Sequence, residues 1–185
     1  LHGNIVVSTL RLLGDFIESN SYQSFSSLLR LPDIQQYLID AGITDDLISI
    51  SDDFHETHLP SHTGRLRGEP GKFANLAAAL QALDDLVLPL SSGSERISHW
   101  CGVILEVLNS IYGQRLVEKN HPPDSAVLCG TRAIAQSLSE LADTDDSVLM
   151  ECNVIECIDL ALQLASTQFE PIQSTGGITV TGWLD

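Results

Sequence analysis

Residues 52–62, DDFHETHLPSH, gather His55, His58 and His62 beside Asp52, Asp53 and Glu56. Imidazole nitrogens and carboxylate oxygens are what zinc binds, so the inventory suits a metal centre or a metal-dependent hydrolase. The spacing suits it less. A helical H-E-x-x-H site needs two histidines four apart on one face. Here His55 and His58 are three apart, and Pro60 interrupts any helix. The stretch reads as a polar exposed loop, with a metal-binding protein or hydrolase organised by His55, His58 and His62 as the alternative. Downstream, GRLRGEPGK (64–72) concentrates Arg65, Arg67 and Lys72. A phosphate-binding loop needs Ser or Thr after its lysine and a strand before it; Phe73 follows here and no strand pattern precedes. The same basic stretch could instead dock on an acidic groove of the body, in competition with a basic ligand. Cys101 beside Trp100 and His99 is the nearest approach to a nucleophile, but consecutive helical residues point in different directions, so Cys101 is expected in the core. No catalytic residue, metal or cofactor is expected, and the chain reads as a non-enzyme.

The surrounding elements read as helices. Apolar residues at 6, 10, 13 and 17 keep the 3.6-residue spacing of an amphipathic helix, and a shorter helix follows in SYQSFSSLLR. LPDIQQYLIDAG starts with Pro32 at the first helical position and stops at Gly42, and Thr44 then caps a helix opening DDLISI. Residues 51–72 crowd Pro, Gly, His and charges with no periodicity, which predicts one long loop. FANLAAALQALDDLVLPL, then a helix capped by Ser94 and stopped by Gly113, then SAVLCGTRAIAQSLSELA and DDSVLMECNVIECIDLALQLAS complete the helical pattern, with a break near Asn153. Residues 168–185, ending GGITVTGWLD, form a C-terminal extension that alternates like a lone strand. The apolar stretches near 73–83 and 101–112 look too short to cross a bilayer.

Against 9 Lys and Arg stand 25 Asp and Glu, a net charge of −16 in 185 residues. Nucleic acids and anionic membrane surfaces attract basic proteins, so neither is expected as a partner, and membrane insertion is not expected either. A protein carrying a basic segment is. Cys101, Cys129, Cys152 and Cys157 all fall in helix-like runs without a C-x-x-C pair, which predicts reduced thiols in the cytoplasm or nucleus. The chain opens on Leu1, and residues 1–185 read as a single segment of a longer protein.

STLRLLGDFIES resembles the long third helix of an armadillo repeat, and QQYLIDAGITDDLISI resembles the first and second helices of the next. AIAQSLSELADTDDSVLMECNVIECIDLAL repeats that order, so the likeness to armadillo (HEAT-like) repeats covers about two-thirds of the chain. The resemblance implies an all-α, right-handed α-solenoid of irregular repeats, and a non-catalytic protein–protein scaffold or adaptor. Family members of this type bind extended partners in a groove lined by their third helices, and some act on small GTPases with basic tails as regulators or chaperones. Import receptors of the family place asparagines and tryptophans along that groove. Carried onto this chain, the asparagine positions hold Asp15, Asp85 and Glu140, and the tryptophan positions hold Arg11, Gln81 and Gln136. Carboxylates only accept hydrogen bonds, so such a groove would favour Lys and Arg over a peptide backbone. The implied partner is therefore a basic peptide or small GTPase.

Overall fold

The computed structural model describes residues 4–68, 71–91, 93–115, 122–143 and 151–168. These are helical, with α1 Ile5–Ser19, α2 Tyr22–Leu29, α3 Pro32–Asp40, α4 Leu47–His58, α5 Gly64–Gly68, α6 Ala74–Val87, α7 Ile97–Tyr112, α8 Pro122–Ala142 and α9 Val154–Gln168. The all-α class expected from periodicity is what the chain adopts; the extension beyond Gln168, with its strand-like alternation, lies outside the described residues. Helix α7 packs against both α8 and α9, and α1 lies on α2, α8 and α9. Helices α2 to α6 form the rest, with α4 on α2 and α6, and α3 lying across α7. The first helix thus meets the last two, a closure that a linear stack, whose units touch only their neighbours, does not require.

The α3–α4 turn follows from its sequence. Gly42 takes a left-handed φ of 88°. Its N–H reaches Ile39 O at 2.9 Å, and Ile43 N–H reaches Leu38 O at 2.9 Å, the paired bonds of a Schellman stop. The cap of α4 is Asp46, not Thr44: its carboxylate accepts from the Ser49 amide at 3.2 Å and the Ser49 hydroxyl at 2.6 Å. Those bonds hold the Asp46 carboxyl below the ordinary aspartate range. Residues 51–72 are not one loop. Helix α4 continues to His58 and α5 occupies 64–68. Leu47, Ser51 and Phe54 are the buried stripe of α4, so a polar residue at the middle core position concealed the helical period. Ser51 is at home there because its hydroxyl lies 2.7 Å from the buried Tyr22 hydroxyl.

Two further boundaries differ from expectation. Helix α7 begins at Ile97 because Glu95 is drawn into an antiparallel bridge with Cys152, Glu95 N–H to Cys152 O at 3.1 Å and Cys152 N–H to Glu95 O at 3.0 Å. Ser94 is therefore not its cap. Residues 71–90 form one helical run, with 3₁₀ turns on either side of α6, and an 18-residue stretch of it reaches a mean hydropathy of 1.3, so the apolar run is longer than the 73–83 stretch read from sequence. Its Leu76, Ala79, Leu80, Leu83, Leu86 and Val87 are buried in the core. At the start of α9, Asn153 and Glu156 form a reciprocal capping box, each side chain accepting the other's amide at 2.9 Å.

The seat of α1 on α8 depends on one glycine. Asn4 caps α1 through the Val6 amide at 3.0 Å and donates to Ala126 O on α8 at 2.7 Å. A Cβ at Gly130 would lie 2.1 Å from Asn4 Oδ1 and 2.6 Å from its Cγ. Gly130→Ala is expected to push Asn4 out, losing a cap and an interhelix bond, and to cost about 2 kcal/mol in thermal unfolding despite alanine's better helix propensity.

Candidate functional site

An open groove in the described structure runs along α3 and the end of α7 and continues toward α6. Asp33, Gln36, Tyr37 and Asp40 on α3 face Ser110, Ile111, Gln114 and Arg115 at the end of α7 around a cavity of about 740 Å³. It continues, across Tyr37 and Ser110, into a smaller hollow of about 270 Å³ walled by Asp85, Leu86 and Pro89 and by Val103, Glu106 and Val107. Residues 33, 36, 37 and 40, and again 103, 106, 107 and 110, are helical i, i+3, i+4, i+7 stripes, which is why single faces of α3 and α7 make the walls. Asp33, Asp40, Asp85 and Glu106 against Arg115 leave the lining strongly acidic.

At the deep end sits an ionic cluster. Arg115 donates through Nη2 to Asp124 Oδ1 at 2.8 Å and through Nη1 to Asp33 Oδ1. Asp33 and Asp124 stand in the first turns of α3 and α8, where the helix dipole favours an acid, and both are buried. Hydrogen bonding to Asp124, opposed by burial and reinforced by the charge of Asp33, pushes the Arg115 guanidinium above its ordinary value. Asp33 Oδ2 has no hydrogen-bond partner. Beside it, burial raises the Tyr112 phenol far above its ordinary value; the Thr9 hydroxyl at 3.0 Å opposes this, and the charge of Asp33 and hydrogen bonding to Asp33 add to it. On the rim, Gln36 Nε2 holds Asp40 Oδ1 at 2.8 Å, and burial followed by the charge of Asp85 raises the Tyr37 phenol.

Of the six residues read from sequence, Asp85 lines this groove and Gln81 holds it, Nε2 to Oδ1 at 2.8 Å. Arg11 and Asp15 on α1, and Gln136 and Glu140 on α8, are exposed outside its lining, with Gln136 Nε2 donating to Glu140 Oε1 at 3.1 Å. Asp33, Arg115 and Asp124 went unread. Their local signal is a Pro-Asp pair at the start of a helix, which occurs twice, at LPDI and PPDS.

The other chemistry-bearing groups are occupied elsewhere. The His55 ring stacks on Tyr22 at 5.9 Å, and His58 lies edge-on to Phe54 at 4.8 Å and to Phe73 at 5.7 Å. Among the described residues no group of three or more His, Cys, Asp or Glu is placed to hold a metal. The basic segment does not line the groove: Arg67 grips Asp84 through Nε at 2.9 Å and Nη2 at 2.7 Å, and Lys72 pairs with Asp53 at 2.9 Å. Cys101, Cys152 and Cys157 are buried and Cys129 is exposed. A hydrogen bond with Cys101, then burial, pushes the Cys157 thiol far up, and burial followed by the Glu156 charge raises Cys152, which disfavours the thiolate at both.

No family model, curated protein or solved structure matches the chain. The groove's own chemistry therefore carries the functional argument.

Proposed function

We propose that this chain is a non-catalytic protein-binding module that takes a basic, extended segment of another protein along the groove between α3 and α6. The observation that carries the reading is the lining: four carboxylates along two contiguous hollows, with Arg115 the base among them and itself held by Asp33 and Asp124. Complementary charge of this kind steers association and selects partners. A small GTPase with a basic tail, or a basic peptide, is the partner class that fits, and a cytoplasmic or nuclear setting accords with the buried free thiols. An irregular armadillo-like, right-handed solenoid is the arrangement proposed for the helices. Its support is the Schellman turn at Gly42 between two short helices, where the resemblance puts the bend between first and second repeat helices. The exposed acids of α1 and α8, Asp15 and Glu140, offer a second acidic surface.

Fluorescence anisotropy with a labelled peptide bearing four arginines on a Gly/Ser spacer tests the reading. Asp85→Lys/Glu106→Lys, both at exposed positions, is expected to weaken binding at least about tenfold and to flatten its salt dependence. Asp15→Lys/Glu140→Lys is expected to change it less than about threefold, through long-range charge alone. Equal affinity for the parent and the groove variant would overturn the assignment.

A further inference from the structure

We propose that the groove reads a pair of basic residues three apart, one over each hollow, so that its ligand is a basic-x-x-basic segment in an extended, polyproline-type conformation. This deepens the groove reading and rests on it. The hollow along α3 and the end of α7 and the hollow toward α6 share Tyr37 and Ser110 as a common border. Each has its own exposed acids, Asp40 in the first and Asp85 and Glu106 in the second. The two aspartates are presented alike. Gln36 Nε2 holds Asp40 Oδ1 at 2.8 Å and Gln81 Nε2 holds Asp85 Oδ1 at 2.8 Å, each glutamine one helical turn before its acid. Those bonds orient both carboxylates and leave Oδ2 of each, and the Glu106 carboxylate, without a partner among the described residues. Arg115 also lines the first hollow, but it is paired with Asp33 and Asp124, so Asp40 sets the sign of the ligand there.

Helix α7 supplies the ruler. Residues 103, 106, 107 and 110 wall the second hollow and 110, 111, 114 and 115 the first, so the two are centred about six residues apart, or ~9 Å at the helical rise. A polyproline-type segment has three residues per turn and rises ~3.1 Å per residue, so side chains three apart share a face and stand ~9 Å from each other. In a β-strand, side chains on one face are two or four residues apart, ~7 or ~13 Å, and neither matches. A helical ligand spans the distance only with residues seven apart, ~10 Å. Tyr37, at the border, offers its ring to the two intervening residues, as aromatic side chains do where polyproline-type segments dock.

The test is a chemical-shift titration of the full chain with end-capped, otherwise uncharged Gly/Ser peptides that carry two arginines one to seven residues apart, with the four-arginine peptide as reference. Affinity is expected to peak at three apart, about fivefold above two or five apart. Asp40→Asn removes the exposed charge of the first hollow, and Asp85→Asn/Glu106→Gln does so in the second. Each variant is expected to flatten the spacing profile to within about twofold, and all three positions are exposed, so the fold is retained. A flat profile for the unaltered chain, an optimum at another spacing, or an optimum that persists in either variant would overturn the paired reading while leaving the acidic groove in place. Binding of the four-arginine peptide alone would do the same. Failure of every peptide, the four-arginine one included, would overturn both.

Discussion

Trp100→Ala is expected to cost about 4 kcal/mol of folding stability, seen as a fall of about 10 °C in the thermal unfolding midpoint. Trp100 is 0 % exposed and is among the largest buried side chains of the fold. Its indole Nε1 donates to Cys152 O at 2.8 Å, the same carbonyl that accepts from the Glu95 amide at 3.1 Å. The ring therefore fills the core on α7 and ties α7 to the segment leading into α9. Truncation leaves a cavity on the buried face of α7, a helix that packs on both α8 and α9. Trp100→Phe separates the two contributions. It keeps most of the apolar volume, and the carbonyl retains its Glu95 donor, so about 1–2 kcal/mol is expected from the lost hydrogen bond and imperfect fit. Equal losses for Ala and Phe would show that the indole bond, rather than packing, dominates.

Arg115→Met is expected to cost about 3 kcal/mol, because it leaves Asp33 and Asp124 buried without their shared counter-charge. The low end of the range for breaking a buried ion pair applies, since the Arg115 side chain is 30 % exposed and water can partly replace it. The asymmetry of such clusters gives a sharper form. Asp33→Asn/Arg115→Met/Asp124→Asn, which removes every charge together, is expected to recover most of the loss, since uncompensated charge rather than the missing attraction makes the single variant unstable. A triple variant no more stable than Arg115→Met would contradict that account.

What the sequence disclosed divides along the range of the interactions. The Val6, Leu10 and Leu13 stripe and the Gly42 stop are set by residues within a turn or two of each other, and both are legible by eye. The helix through 51–58 was not, because Ser51 belongs in the core only by virtue of Tyr22, 29 residues away. The start of α7 was misplaced for the same reason: Glu95 leaves the helix to pair with Cys152. The site follows this pattern. Asp85 was legible as an acid on an exposed face, whereas Asp33 and Arg115, 82 residues apart, acquire a shared role only when α3 crosses α7. The packing of α1 on α8 and α9 likewise has no local signature, since a repeat pattern describes neighbours and not whether helices far apart in sequence meet.

The most direct test of the acidic groove is a heteronuclear NMR titration of the isotope-labelled chain with the four-arginine peptide. The account predicts that amide shifts concentrate at Asp33, Tyr37 and Asp40 on α3, Asp85 on α6, and Glu106 and Ser110 on α7, with α1 and the exposed face of α8 unmoved. Shifts centred instead on Asp15 and Glu140, with the α3 and α7 amides silent, would contradict it and assign binding to the α1–α8 surface.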